Sequence, residues 1–253
     1  MDDANAIEKD TTRITFGKKK VLIINGEGSS VRIGFKDTVN ITPDKVKSHW
    51  VGFEMGINTL VDQNFSTTPP SGYGFLKPRI EKSIALNFNL VDAEVKLYRR
   101  NIMLVTGFGL SINNYRFKSD AYLAPGVDSI VAISDPDVSL TKNKLVAEYI
   151  NVPLLIEFNT SENPKRTFHL ATGVIGGFRV ASHLKLIKSS NGDAAKVKIY
   201  DDFNLNPFRC DATVRLGYGN FTMFGSYGLL NMFKDNRGPD MVPFTAGISF
   251  AGW

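Results

Sequence analysis

From Phe244 to Phe250 the chain alternates strictly. Phe244, Ala246, Ile248 and Phe250 fall on one side, and Thr245, Gly247 and Ser249 on the other. A period of two places successive side chains on opposite faces of a β-strand. The pattern recurs upstream. Residues 49–61 set Val51, Phe53, Met55 and Ile57 against Gly52, Glu54, Gly56 and Asn58. A second strand starts near Ser83 with Ile84, Leu86, Phe88 and Leu90 on one face, and its parity slips at Leu90-Val91, which predicts a bulge or an early end. Residues 102–117 form a third strand. A fourth carries Val146, Ile150, Val152, Leu154, Ile156 and Phe158, with Pro153 predicting a local irregularity because proline cannot donate to a ladder. A fifth carries Leu170, Thr172, Val174, Phe178 and Val180. A sixth sets Phe208, Cys210, Ala212, Val214, Leu216 and Tyr218 against Arg209, Asp211, Thr213, Arg215 and Gly217. A seventh runs over about 221–233, before the closing strand.

These are about eight strands, joined alternately by long, loop-like segments (62–78, 118–143, around 189–194) and short turns (99–101, 161–166, 219–220). Long loops on one side and short turns on the other are the pattern of an antiparallel up-and-down transmembrane β-barrel of the outer-membrane type. The alternative is a soluble barrel or sandwich. That fold needs a solvated outer face rich in Lys and Glu, whereas here the second face is mostly Gly, Ala, Ser, Thr and Asn, which suit a narrow barrel interior. The apolar face is almost free of charge, Glu148 being the main exception. Ahead of the barrel, which occupies 47–253, residues 1–46 read as a periplasmic segment. It holds a short β-hairpin around Phe16-Gly17-Lys18 and a further strand over 30–35.

Composition agrees with this reading without proving it. Mean hydropathy is −0.10, and no apolar run approaches the roughly 20 residues of a spanning helix. Strands that alternate keep the average near neutral while one face stays apolar. The net charge of +5 reads as scattered solvated lysines or as a bias toward anionic headgroups. Without a dense basic stripe interleaved with aromatics, nucleic acid is not an expected partner. The single cysteine, Cys210, excludes an intrachain disulfide and a cysteine-based zinc site. The acidic start Met1-Asp2-Asp3 lacks the apolar region of a secretory signal, so the chain is expected to be a mature outer-membrane sequence.

Aromatics gather at the strand ends. Tyr98, Phe158, Phe168, Tyr218, Phe221 and Phe250 fall near short turns, and Tyr115, Phe117, Phe203, Phe208, Phe233 and Phe244 fall toward the long loops. Two interfacial belts would explain both sets. Glu54, Arg179, Arg209, Asp211 and Arg215, with Glu157 as a further candidate, point inward and are expected to pair in the barrel interior, a gated pore or polar ligand site being the alternative. The loops also hold Phe65, Tyr73, Phe75, Tyr122 and Pro125, expected to be exposed and available for binding. His49, His169 and His183 are the only histidines, and no spacing makes them a dyad or a metal site. No catalytic, metal or cofactor-binding residue is expected, and no cofactor.

The stretches 10–24 (DTTRITFGKKKVLII), 49–58 (HWVGFEMGIN), 105–117 (VTGFGLSINNYRF), 149–158 (YINVPLLIEF) and 215–250 (RLGYGNFTMFGSYGLLNMFKDNRGPDMVPFTAGISF) resemble the Bacteroidetes outer-membrane β-barrel family that includes PorT-like proteins. The resemblance spans nearly the whole chain. It implies an outer-membrane protein of a Gram-negative bacterium, with membrane lipids as partners. PorT itself is linked to type IX protein secretion, a role these motifs do not carry over, and the family offers no catalytic residues. The expected function is a non-enzymatic structural or accessory component of an envelope or secretion assembly, with other proteins of that assembly as partners. The alternative is a small solute channel or a ligand-binding barrel.

Overall fold

The computed structural model describes residues 11–16, 19–24, 32–35, 48–98, 101–136, 139–161, 163, 166–190 and 193–251. The chain divides into two units, 1–45 and 46–253. In the first, β1 (Thr11–Phe16), β2 (Lys19–Ile24) and β3 (Arg32–Phe35) form an antiparallel sheet in that order, with Phe16 opposite Lys19 at the predicted hairpin.

The second unit is a closed antiparallel barrel of eight strands. They are β4 (Gly52–Val61), β5 (Ile84–Tyr98), β6 (Ile102–Arg116), β9 (Ser139–Asn159), β10 (Phe168–Ser190), β12 (Phe208–Tyr218), β13 (Phe221–Gly228) and β14 (Val242–Ala251). The closing strand β14 pairs with β13 on one side and with β4 on the other, so the ring has no edge. The long connections carry two additions. β7 (Tyr122–Leu123) and β8 (Ala132–Ile133) make a small hairpin, and β11 (Asp193–Tyr200) pairs along the outer part of β10.

The faces are inverted relative to a soluble protein. Outward side chains such as Val152, Leu216 and Met223 are 53%, 59% and 60% exposed, while Glu54, Asp211 and Arg215, facing inward, are 2% exposed. A continuous apolar outer surface of this extent marks a membrane interaction rather than a solvated one. The eight strands pair with their neighbours around the whole ring, the closure that lipid requires. The soluble alternative is therefore set aside.

Two expectations are borne out in a specific form, and two need correction. The parity slip at Leu90-Val91 is a bulge and not an early end, since the register shifts between Asn89 and Val91 and the strand continues to Tyr98. Pro153 marks a local irregularity, a gap in the ladder without a slip. It faces Ile175 in unbroken register, and toward β6 the pairs stop at Leu154 and resume at Asn151 in the same register. The loop over 118–143 is shorter than expected because β9 already begins at Ser139, and the polar stretch near 189–194 is the tip of the β10–β11 hairpin. The seventh strand ends at Gly228, and Met232 and Phe233 turn back into the core.

The aromatic reading splits in two. At the short-turn end the girdle is present: Phe168 contacts Tyr218, Phe221 contacts Phe250, and both pairs are outward and exposed, as is Phe158. The side chain of Tyr98 lies outside the described residues. At the long-loop end, Phe208 faces outward against Phe178, but Tyr115, Phe117, Phe203 and Phe233 are buried. They join Leu60, Leu145, Leu184 and Met241 in one apolar cluster that fills the extracellular mouth, with Tyr73, Phe75 and Tyr122 packed against it. Only Phe65 of the loop aromatics is largely exposed, at 65%. An apolar side chain one strand-length above the bilayer meets water unless the loops fold over it, so the aromatics form a cap rather than a belt.

Candidate functional site

The polar lumen begins with the approach to β4. Residues 48–50 turn into the barrel instead of running along the wall. The Ser48 hydroxyl donates to Asp92 on β5. The His49 backbone N–H donates to Glu157 Oε2 at 3.1 Å, and its Nδ1 lies 2.7 Å from Glu157 Oε1 on β9. The His49 ring stacks on His169 of β10, with centroids 3.7 Å apart and planes 7° from parallel, and His169 Nε2 is 2.7 Å from Thr222 Oγ1 on β13. Trp50 is buried among Met103, Val105, Leu155 and Ile175. Its ring faces the Arg215 guanidinium at 5.2 Å, a cation–π contact. The approach segment thus joins β5, β9, β10 and β12 across the periplasmic half of the lumen.

Above it lie the charges. Arg215 on β12 is hydrogen-bonded to Glu54 on β4, and that carboxylate also accepts from Asn87 at 2.9 Å and Asn89 at 2.8 Å. Arg209 binds Asp211, two residues along β12, through Nε at 2.8 Å and through a second nitrogen, and its guanidinium sits 5.0 Å from the Tyr149 ring. Thr213 and Ser226 hydroxyls bridge β12 and β13 at 2.9 Å. Of the five charges expected inside, four form two pairs. Arg179 does not join them. It donates to Ser182 at 2.7 Å and to the Leu205 carbonyl at 3.2 Å, near the cap. Among the described residues no carboxylate lies within ion-pair range of it. Arg179 keeps the inward parity of Ala171 and Ile175 and lies opposite the buried Tyr149, but it sits at the cap end of the lumen, where its partners are Ser182 and Leu205.

The remaining space between these groups is a cavity of about 20 Å³ lined by Trp50, Glu54, Asn89, Asn151, Arg209 and Asp211. That is room for about one water molecule. A second, open cleft of about 370 Å³ lies among the extracellular loops. Its carboxylates already have partners: Asp202 binds Lys234 at 2.6 Å, Asp128 binds Arg237 at 2.8 Å, and Asp201 accepts from the Gly126 N–H at 2.7 Å. The Lys234 hydrogen bond holds the Asp202 carboxyl below its ordinary range. The stabilisation it contributes is present above the unfolded pKa and lost as pH falls through the folded one. At a half-exposed site Asp202→Asn is expected to cost less than about 1 kcal/mol, measured as the shift in thermal midpoint at neutral pH.

Sequence reasoning missed the histidine layer. His49, Glu157, His169 and Thr222 are spread over the chain, and only ring closure brings them together. The available signal was Trp50, a bulky apolar residue placed with His49 just ahead of a strand whose inward face is polar. The layer does not form a continuous carboxylate–histidine–hydroxyl relay. Glu157 orients His49, but the ring touching Thr222 is that of His169, and the two rings meet face to face. His49→Ala would leave Glu157 buried with fewer partners. It is expected to cost about 1–3 kcal/mol, read from the temperature at which the folded, fast-migrating electrophoretic form is lost.

Comparison with known families agrees with this geometry. The model for the family described as outer membrane protein beta-barrel domain matches residues 43–234. The chain belongs to that family. The matched range takes in the approach segment and the ring strands through β13, and β14, beyond it, supplies the seam. No curated protein and no solved structure matches the chain. In this outer-membrane β-barrel the short-turn girdle marks the periplasmic boundary and the apolar cap stands on the outer side.

Proposed function

We propose that this outer-membrane barrel is a non-enzymatic, non-conducting structural or accessory component of an envelope assembly, of the PorT-like kind found in Bacteroidetes, with other envelope or secretion proteins as its partners. The observation that carries the reading is the filled lumen. Trp50, the paired charges and the apolar cap occupy it, and the cavity between Trp50 and the two charge pairs measures about 20 Å³. A solute path through the barrel would require the ion pairs to separate, and removing one partner of a buried pair costs several kcal/mol. What the barrel offers instead is surface, in the lipid-facing wall and the loops held by a rigid scaffold. The wall is continuous, and the loops are tied to one another: Ile130 N–H donates to the Arg237 carbonyl at 2.6 Å and Asn206 N–H to that of Met232 at 2.9 Å.

The test is purification of the tagged protein from its native outer membrane in mild detergent, with mass spectrometry of what accompanies it. Stoichiometric recovery of envelope or secretion proteins is expected. Recovery of the barrel alone at every detergent strength would overturn the accessory role.

A further inference from the structure

Six cations gather on the outer wall where the barrel leaves the bilayer. Arg116 on β6 is opposite Lys144 on β9, Lys144 is opposite Lys185 on β10, and Lys185 is opposite Lys198 on β11. These four stand side by side across four neighbouring strands. One step further out, Lys142 and Lys196 flank Ile187 from either side. The row faces outward, because its sequence neighbours Tyr115, Leu145, Leu184 and Leu186 are the buried, inward residues. The bulge at Arg179/Ala181 makes this possible, since it shifts the parity of β10 and brings Lys185 to the outer face.

Like charges directly opposite on a sheet repel; Glu81 offsets part of the charge at Arg116, and Lys198 lies 5.2 Å from the centre of the Tyr200 ring. Among the described residues none of the six makes an ion pair. Lys144 donates to Asn114 and Arg116 to the Thr141 carbonyl, both neutral, and Arg116 Nε is buried without a partner. Lys198 donates to the Tyr200 hydroxyl at 3.1 Å. Lys142, Lys185, Arg116 and Lys198 all crowd the Lys144 ammonium. A cluster of this kind is a candidate site for an external anion.

Its height on the barrel indicates which one. The same strands carry the apolar wall just below, in Leu110, Val152, Phe178 and Val180. On β9 the row lies fourteen residues above the girdle residue Phe158. At the strand rise and the usual tilt that is roughly 35 Å along the membrane normal, beyond the ~25 Å apolar band and at headgroup level. We propose that this row binds the phosphate groups of an outer-leaflet lipid, whose acyl chains lie on the apolar wall beneath. The inference rests on the barrel fold and its membrane orientation, not on the accessory role, so failure of either leaves the other standing.

The test uses the full chain in zwitterionic detergent. The probes are a bis-phosphorylated acylated glucosamine disaccharide, its dephosphorylated form, and inorganic phosphate. Binding is read from the rise in thermal midpoint on titration. The phosphorylated lipid is expected to bind, and to do so more weakly as salt is raised. Lys142→Gln/Lys144→Gln/Lys185→Gln/Lys198→Gln should weaken binding by about tenfold or more. The milder Lys185→Gln/Lys198→Gln should weaken it in the same direction and covers the case in which the fourfold variant does not fold. Lys234→Gln/Arg237→Gln, which removes paired cations of the loops, should bind as the parent does. Unchanged affinity in the milder variant would overturn the proposal, as would equal binding of the dephosphorylated lipid. Saturation by inorganic phosphate at the lipid's own concentration would also overturn it, by identifying a site for free anions.

Discussion

Glu54→Ala is expected to destabilise the barrel by about 3–5 kcal/mol, the usual cost of leaving one partner of a buried ion pair uncompensated. Glu54 and Arg215 are each 2% exposed, they lie on strands across the ring, and the same carboxylate accepts from Asn87 and Asn89. Removing it strands a guanidinium and two amides in the lumen at once. The double variant Glu54→Leu/Arg215→Met removes both charges and fills the space. It should recover most of the loss, because a well-packed apolar pair replaces a buried ion pair at little or no cost. Midpoints of unfolding in detergent, read as loss of the fast-migrating form, give both numbers. A single variant no worse than the double would show that the pair is not what organises the lumen.

The second large effect is expected at the seam. Gly247 on β14 is opposite Gly56 on β4, and both face inward. A Cβ at Gly247 would come within 2.3 Å of the Met55 carbonyl oxygen and 2.4 Å of Gly56 Cα. These are backbone atoms of the partner strand, which cannot turn aside as a flexible side chain can. Gly247→Ala should therefore cost at or above the ~1–3 kcal/mol typical of overpacking and should lower the yield of closed barrel on refolding. Gly225, on β13, is the control. A Cβ there meets nothing within 4 Å, so Gly225→Ala should be neutral or slightly stabilising through the unfolded chain. Equal losses at the two positions would mean that the seam is not closed as described.

Much of the ring was legible because lipid imposes a strict period of two on every spanning segment. Alternation such as Phe244 to Phe250, with Gly and Ser on the other side, has few other readings. The alternation of long and short connections followed the same constraint. Three things were not legible, each for a physical reason. Above the bilayer the outer face no longer needs to be apolar, so the extended ends of β9 and β10 and the added strand β11 looked like loops. A bulge changes parity without leaving a mark in composition. Beyond the bulge that follows Arg179, Lys185 therefore faces outward with Lys144 and Lys198, which alternation alone does not show. Contacts across the lumen depend on ring closure and stagger. Glu54 and Arg215 could be named as inward charges, but their pairing, like the meeting of His49 with Glu157 and His169, depended on the register of all eight strands.

The direct test of the filled lumen is planar-bilayer recording of the purified, correctly folded protein. The parent chain should insert without any steady conductance above the bare-membrane baseline. Glu54→Ala should raise flickering current before it raises stable current. Stable unitary openings of the parent would contradict the account, since they require a continuous aqueous path where Trp50, the Glu54–Arg215 and Arg209–Asp211 pairs and the apolar cap now stand.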